Sequence, residues 1–316
     1  MGSAYSALAT DAYAPTWNPG GLGHVDSNQF AGQHLSYLES IYYEYMSFVH
    51  PLGHGRAVGA AIQYLGSGDI PSTDVNGNSI GSFNAHYGAY AVSYGQTLGS
   101  KLSLGMSGKI ISAKISDVGA TAYAVDFGSL YQWNKDLALA AVLTNVGTKL
   151  KFIDQADSLP LALHLGAAYR TRYNVNLSAE TVYRQSGLAS FHAGGEWSPT
   201  PPIALRVGYR TDTLKGLSPL AGLSLGLGLH AWGQEFSYAW LPLGDLGNTQ
   251  YFSLVLKFGG APSENRNLIQ YQHIKRDRAV KDPEAHEADQ ELMQLLNDSE
   301  EKTPVAKKQS VRPTED

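Results

Sequence analysis

Apolar residues alternate with small or polar residues along most of the first 258 positions of the chain. The last of these segments, residues 251–258, shows the alternation from end to end. Its apolar face consists of Phe252, Leu254, Leu256 and Phe258. Its other face consists of Ser253, Val255 and Lys257. A two-residue period with unlike faces is that of a β-strand, and we predict that this strand closes a sheet by pairing with the first strand.

About fourteen segments show this pattern. They cover residues 33–38, 41–50, 56–65, 82–96, 101–115, 120–132, 137–151, 161–170, 174–185, 189–197, 203–211, 221–230, 234–241 and 249–258. Many approach the roughly 9 to 11 residues with which a tilted strand crosses a bilayer, and single-chain bacterial barrels have an even number of strands. We therefore predict an all-β fold, a transmembrane antiparallel β-barrel of about 14 strands over residues 33–258. The alternative is a soluble sandwich or propeller, but the repeat of about 40 to 50 residues that propellers have is absent.

The lengths of the predicted connections favour the barrel. Every second connection is short, at residues 50–55, 97–100, 133–136, 171–173, 198–202 and 231–233. The intervening connections are on the whole longer and include residues 66–81, 151–160, 211–220 and 242–248. Outer-membrane barrels have short periplasmic turns and longer outside loops, so we expect the short set to face the periplasm.

Residues 1–32 are small, polar and rich in glycine, and they do not read as a membrane strand. We predict that they fold into the lumen as a hatch. The candidate hatch residues are Asp11, Trp17, Asn18, Pro19, Gly20 and Gly21. The last four predict a turn, because proline fixes φ and glycine tolerates positive φ.

Residues 259–316 are richer in charged residues than the rest of the chain. They hold 9 of the chain's 23 Lys and Arg residues and 12 of its 28 Asp and Glu residues. We predict a soluble, periplasmic and partly disordered tail with a helix near residues 284–297. This helix is either a solvated appendage or a docking element for a periplasmic protein that binds residues 262–316.

Composition excludes several classes of protein. The chain has no cysteine, so it has neither disulfides nor a thiolate metal site. A net charge of -5 without a basic aromatic patch gives no indication of nucleic-acid binding. Mean hydropathy is -0.21 and no apolar run approaches 18 residues, which excludes a spanning helix. The first residues lack the features of a signal peptide. A protein in the cell outer membrane of a Gram-negative-type bacterium must nevertheless cross the inner membrane, so we infer that the signal peptide was lost upstream of Met1.

Five charged residues face the lumen if the alternation holds. They are Lys109, Glu180, Glu196, Arg206 and Lys257. Charges inside a barrel need water or partners, and we expect Asp11 and Asn18 of the hatch to supply some of them. The arrangement is either a static polar network between hatch and wall or a gate that moves when a ligand arrives.

Short motifs for catalysis or metal binding do not fit their sequence context. Gly222, Ser224 and Gly226 match the nucleophile-elbow spacing, but they lie within an alternating strand with no helix after it. His50 and His54 enclose a proline, whereas metal-binding pairs at this spacing belong on helices. We therefore predict a non-enzymatic protein with no catalytic residues, no cofactor and no metal site.

Several segments carry a resemblance to a known family. The N-terminal residues MGSAYSALATDAYAPTWNPGGLG resemble the signature of the PorV/PorQ family, which are outer-membrane barrels of the FadL type. Further similar segments are residues 50–53 (HPLG), 143–170, 205–210 (LRVGYR) and 244–258 (GDLGNTQYFSLVLKF). Gly20 stands where the family usually has Ala, and the tail lies outside the resemblance.

The resemblance implies a 14-stranded barrel with an N-terminal hatch, and it implies the first two of three candidate functions. The first is a PorV/PorQ-type role in type IX-like protein secretion, in which the barrel binds the signal domains of secreted proteins. The second is a FadL-like channel that takes up hydrophobic small molecules. The third is a structural anchor that holds a periplasmic partner through the tail.

Overall fold

A computed structural model describes residues 1–37, 40–187, 189–213, 219–244 and 247–259. The predicted tail, with its helix near residues 284–297, lies outside the described residues except for Gly259. Among the described residues, no helix combines the length and the apolar character needed to span a membrane.

The described residues form eighteen strands. They are β1 (Asn28–Ser36), β2 (Tyr42–Gly53), β3 (Arg56–Gly66), β4 (Ile70–Thr73), β5 (Ser79–Phe83), β6 (Ala85–Leu98), β7 (Leu102–Ile115), β8 (Val118–Gln132), β9 (Leu137–Gly147), β10 (Lys149–Phe152), β11 (Gln155–Ser158), β12 (Ala162–Arg170), β13 (Val175–Arg184), β14 (Ala189–Thr200), β15 (Ile203–Arg210), β16 (Leu223–Ala231), β17 (Gln234–Pro242) and β18 (Asn248–Phe258). Fourteen of them form a closed antiparallel barrel in the order β1-β18-β17-β16-β15-β14-β13-β12-β9-β8-β7-β6-β3-β2. The predicted fold class is confirmed.

The barrel closes between its first and last strands, as predicted. β1 pairs with β18 from Asn28 opposite Phe258 to Ser36 opposite Gln250. β1 begins five residues before the predicted position 33, because Gln29 and Ala31 already face the interior and the end of β18 needs a partner over its whole length. The hatch therefore comprises residues 1–27.

The two faces of each strand differ as the alternation predicts. On β7, Ser103 and Ser107 are fully buried, whereas Leu104 is 44% and Met106 is 51% exposed on the outer surface. On the closing strand, the exposed outer residues include Phe252, Leu254 and Phe258, with Leu256 partly exposed between them. A continuous apolar exterior on a closed sheet is suited to lipid rather than water.

The two ends of the barrel have different connections. Six turns of two to four residues lie at one end, which we call the turn end: 54–55, 99–101, 133–136, 171–174, 201–202 and 232–233. The loop end holds most of the longer connections, and two of these contain hairpins, β4 with β5 and β10 with β11. The predicted strand 137–151 was too long, because β9 ends at Gly147 and the chain then enters the second hairpin.

The hatch lies against the inner face of the wall and supplies one side of the hydrophobic core. It contains a short helix α1 (Ala14–Trp17) and a 3-10 helix (Pro19–His24). Hatch residues Leu8 and Leu22 are completely buried, and they belong to two clusters with inward-facing residues of the wall. Hatch and barrel thus share a core, since neither buries these side chains alone.

Candidate functional site

Inward-facing glycines of the barrel provide the seat of the hatch. They lie on seven strands and are Gly59, Gly95, Gly105, Gly128, Gly166, Gly194 and Gly208. A Cβ atom built on Gly105 would lie 2.6 Å from the amide nitrogen of Gly20, and one on Gly128 would lie 2.7 Å from Cδ of Pro19. Side chains do not approach backbone this closely, so the wall admits the hatch because these positions lack one.

Asn18, Pro19, Gly20 and Gly21 lie together where the hatch enters this seat. The Asn18 side-chain amide donates to the carbonyl oxygens of Ser6 at 2.8 Å and of Ser129 at 3.1 Å, while its Oδ1 accepts from the amide of Gly20 at 2.9 Å. The predicted turn is instead the start of the 3-10 helix, in which neither glycine has a positive φ. These glycines serve close approach, since a Cβ on Gly20 would lie 2.9 Å from the carbonyl oxygen of Gly128.

Asp11 lies among aromatic side chains in the middle of the hatch. Its carboxylate accepts from the Tyr5 hydroxyl at 2.5 Å and from the Tyr13 amide at 2.9 Å. Burial raises the pKa of Asp11, although both of these hydrogen bonds act in the opposite direction. The Trp17 ring meets Tyr5 edge-on at 5.6 Å, and Tyr13 stacks on Tyr45 of the wall at 5.1 Å.

Glu180 holds the start of the hatch against β13. Its carboxylate accepts from the amides of Ser6 at 2.9 Å and of Tyr5 at 3.2 Å, and His164 of β12 lies 2.8 Å away. The side chain is 1% exposed. Charge-assisted hydrogen bonds of this kind are stronger than neutral ones, so a wall carboxylate fixes the hatch backbone.

Arg206 is the centre of an ion-pair cluster on the wall. Its guanidinium contacts Glu196 at 2.7 Å, Glu235 at 2.6 Å and the Ser237 hydroxyl at 2.7 Å. The group lies over Gly228 of the next strand, where an added Cβ would be 2.9 Å from Nη1. Arg206 and Glu196, both predicted to face the lumen, are thus brought together across β14 and β15.

Lys109 on β7 and Lys257 on β18 lie five strands apart around the barrel. Lys109 pairs with Asp126 at 2.7 Å and donates to Oδ1 of Asn145 at 2.5 Å. The acids whose charges act on Lys257 are Asp11, Glu235 and Asp26. The charge of Asp11 therefore acts on Lys257. Asn18 instead hydrogen-bonds to backbone groups, and Lys109 and Arg206 are paired with residues of the wall.

A cavity of about 270 Å³ lies between the hatch and the wall formed by β15 to β18 and β1. Its hatch side includes Tyr5, Asp11, Tyr13 and Trp17. Its wall side includes Gln33, Arg206, Arg210, Ser224, Glu235, Ser237, Ala239, Leu241, Tyr251, Ser253 and Val255. Aromatic rings therefore face a wall that carries hydroxyl groups and charges.

Asp212 follows β15 near the loop end of this wall. A hydrogen bond from His192, together with the charges of Arg210 and Arg184, lowers the pKa of Asp212 against the effect of burial. Arg184 lies 2.7 Å, His192 3.2 Å and Arg210 3.9 Å from the carboxylate. Asp212 is therefore ionised at neutral pH and is shared among three basic side chains.

Sequence reasoning missed Glu235, Asp126 and Tyr13, although a signal existed for the first two. Glu235 precedes the outward residue Phe236, and Asp126 continues a run of inward alanines on β8. The same alternation that selected Lys109 also places these acids in the lumen. The position of Tyr13 had no such signal, because the hatch has no strand periodicity.

The motifs set aside in the sequence do not assemble catalytic geometry in the described residues. Ser224 lies within β16, and its hydroxyl accepts from the amide of Gly2 at 3.1 Å. His50 lies on β2 with its Nδ1 2.7 Å from Oδ1 of Asn28, whereas His54 lies in the following turn. The serine thus serves as a hatch contact.

Comparison with known proteins identifies the fold. No protein-family model and no curated protein matches the chain. The toluene transporter TodX of Pseudomonas putida superposes with a TM-score of 0.54 at 12% identity, over 79% of this chain and 96% of that one. The monoaromatic hydrocarbon channel CymD gives 0.55 at 13% identity, over 80% and 94%, and a FadL homologue of Pseudomonas aeruginosa gives 0.52 at 12%, over 80% and 95%.

The chain has the fold of FadL-type outer-membrane barrels. At 12–13% identity this likeness is one of fold alone. The PorV/PorQ resemblance stays a prediction that rests on the segments quoted above.

Proposed function

We propose that the protein is an outer-membrane barrel that admits small hydrophobic molecules through the cavity beside its hatch. The observation that carries this proposal is the cavity itself, which lies inside a closed barrel and is lined on one side by aromatic rings. The structural neighbours named as hydrocarbon channels support it.

The outer surface supports a location in the bacterial outer membrane. Large apolar side chains are exposed on outward positions around the barrel, for example Val92 at 70% and Tyr123 at 59%. In water such a surface would lead to association, whereas in lipid it is the stable arrangement. With the short turns at the turn end, we place that end in the periplasm.

The size of the cavity sets the size of its ligand. An apolar protein cavity of about 150 Å³ holds benzene, so about 270 Å³ accommodates one substituted aromatic ring. Tyr5, Tyr13 and Trp17 offer edge and face contacts to such a ring. A long or branched ligand would require displacement of the hatch.

Uptake of labelled toluene by Gram-negative cells that express the protein tests the proposal. Ala239→Phe, which fills the cavity from β17, should reduce uptake to the level of cells without the protein. Ala60→Phe, on the outer face of β3, is the matched control and should leave uptake unchanged. Equal uptake by the two variants would contradict passage through this cavity.

A second candidate function is the binding of secreted-protein signal domains, as the PorV/PorQ resemblance implies. The seat of the hatch favours it, because backbone atoms of the hatch lie directly against Gly95, Gly105, Gly194 and Gly208 of the wall and occupy that part of the lumen. Purification from solubilised membranes should then recover secreted proteins bound to the barrel. Recovery of the barrel without them, together with toluene uptake, would exclude this candidate.

A third candidate is an anchor for a periplasmic protein through residues 262–316, which lie outside the described residues. A pull-down that compares the full chain with a chain ending at residue 261 tests it. Loss of the same partner from the shortened chain would support the anchor function.

A further inference from the structure

We propose that the turn end of the barrel binds the headgroups of anionic phospholipids through a basic arc, which consists of Arg56, Lys101, Lys135, Arg170 and Arg172. These residues lie in or next to four of the six turns at that end. The inference goes beyond the proposed function, because it requires a bilayer around the barrel but no ligand in the cavity.

The four turns form one continuous edge of the barrel. They connect β2, β3, β6, β7, β8, β9, β12 and β13, which are successive neighbours in the barrel and make up eight of its fourteen strands. Backbone hydrogen bonds join each turn to the next. The Thr97 amide donates to the carbonyl oxygen of Gly55 at 2.8 Å, the Gln132 amide to that of Lys101 at 2.7 Å, and the Arg170 amide to that of Asp136 at 2.8 Å. The basic arc therefore follows more than half of the edge at the turn end.

The positive charges of the basic arc are not balanced by neighbouring acids. Within the described residues, none of its five side chains forms an ion pair. Lys101 Nζ lies 3.5 Å from the carbonyl oxygen of Trp133, and Arg56 Nε lies 3.5 Å from that of Gly53. The four turns contain a single acid, Asp136. Five cations thus share one carboxylate, and the edge attracts anions.

Lysines at the loop end have a different setting. Lys114 near the end of β7 is followed by Asp117. The hairpin of β10 and β11 carries Lys149 and Lys151 together with Asp154 and Asp157. Equal numbers of acids and lysines occur there, so these lysines provide a matched comparison for the basic arc.

Exposed aromatic rings mark the depth of the basic arc in the bilayer. Trp133 is 58% and Tyr173 is 82% exposed, each in a turn that also carries a cation. The Tyr131 ring, on the outer face of β8, meets Trp133 edge-on at 6.3 Å. Trp and Tyr concentrate at the membrane interface, and Lys and Arg lay their stems along apolar surface while their charges reach the polar layer. The cations of these turns therefore lie at the level of the lipid phosphates.

This position favours a lipid headgroup over an acidic protein. The phosphates of the surrounding lipids lie beside the rim of the barrel, where the rings and the cations occur together. An acidic protein would approach from the aqueous side and would not need the lipid-facing rings. A headgroup with a net negative charge gains from the unbalanced cations, whereas a zwitterionic headgroup carries its own counter-charge.

Titration of dioleoyl phosphatidylglycerol into the delipidated full-length protein, followed by native mass spectrometry, tests the proposal. The matched lipid is dioleoyl phosphatidylcholine, which has the same acyl chains and no net charge. Each Lys or Arg near an anionic surface strengthens the attraction by about fivefold. We therefore expect phosphatidylglycerol to bind at least about tenfold more tightly than phosphatidylcholine.

Two triple variants locate the binding surface. Lys101→Gln with Lys135→Gln and Arg172→Gln should weaken phosphatidylglycerol binding at least about tenfold and leave phosphatidylcholine binding unchanged. The control, Lys114→Gln with Lys149→Gln and Lys151→Gln, removes the same charge at the loop end and should bind both lipids as the wild type does. All six side chains are exposed, so neither variant should unfold the barrel.

The outcomes separate the lipid from other partners. Equal affinity of the wild type for the two lipids overturns the proposal. Equal losses in the two triple variants overturn the assignment to the basic arc, because net charge alone would then set the binding. An acidic periplasmic protein that is recovered with the wild type but not with the turn-end variant, without a preference between the lipids, overturns the lipid in favour of a protein. Neither variant alters the lining of the cavity, so toluene uptake tests the proposed function separately.

Discussion

The substitution Gly105→Ala should dislodge the hatch, although it adds only one methyl group. The new Cβ would overlap the carbonyl group of Pro19 and lie 2.6 Å from the Gly20 amide nitrogen, whereas ordinary contacts begin at 3.4 Å, so the two backbones would need to separate by more than 0.8 Å. Both neighbours are backbone atoms and cannot rotate away. Overpacking of this kind costs about 1 to 3 kcal/mol, and we expect the upper end of that range.

The matched control lies three residues along the same strand. Gly108 faces outward, and a Cβ added there meets nothing within 4 Å. Gly105 and Gly108 both lack a positive φ, so backbone strain does not contribute at either site. The difference between the two alanine variants therefore measures the contact between hatch and wall.

Two assays report on this difference. A loss of about 3 kcal/mol corresponds to a fall in melting temperature of about 6 to 12 °C for a domain of this size. Chymotrypsin reports on the hatch directly, because residues 1–27 contain tyrosines and a tryptophan but no Lys or Arg. Release of N-terminal peptides should be faster in Gly105→Ala than in Gly108→Ala. Equal melting temperatures and equal release rates would refute the glycine seat.

Three further predictions concern the charged groups. Glu180→Gln should speed the chymotryptic release of the hatch, because the Glu180 carboxylate accepts hydrogen bonds from two hatch amides. The control Glu44→Gln should not change the rate, since Glu44 belongs to an exposed pair worth at most about 1 kcal/mol. Equal release rates in the two variants would contradict the role of Glu180 in holding the hatch. Because the pKa of Asp11 is raised, its contribution to stability is lost as pH rises from its ordinary value of 3.8 through the raised value. The melting temperature of Asp11→Asn minus that of the wild type should therefore increase as pH rises through that window. If this difference stays constant, the burial of the Asp11 carboxyl does not raise its pKa. Asp126→Asn leaves the Lys109 side chain, which is 10% exposed, without its counter-ion. The free energy of unfolding measured by denaturant titration should therefore fall by about 3 to 5 kcal/mol. A loss below about 1 kcal/mol would show that water hydrates the pair.

The strands could be predicted because their signal is local. Each strand has one face toward lipid and one toward the lumen, so the two-residue period is present in every segment without knowledge of its neighbours. The pairing of β18 with β1 follows from closure, which requires the last strand to meet the first. The start of β1 at Asn28 was missed because its inward residues, Gln29 and Ala31, differ little in character from the hatch that precedes them.

The lumen could be predicted only in part. Alternation placed Lys109, Glu180, Glu196 and Arg206 in the interior, but it carries no information on which strands lie opposite each other. The pairing of Arg206 with Glu235 depends on contact across β15, β16 and β17, and the contact of Glu180 with Ser6 joins positions 174 residues apart.

The sequence by itself determined that the chain forms a closed barrel with an apolar exterior, because side-chain alternation and strand length are properties of consecutive residues. Only the tertiary structure decided what the lumen contains. Gly105 and Gly108 are the same residue on one strand, yet one receives the hatch and the other faces outward. No residue near Gly105 in the sequence indicates that Gly20 approaches it. That contact depends on the path of the hatch, which has no periodicity and is fixed only by packing against the complete wall.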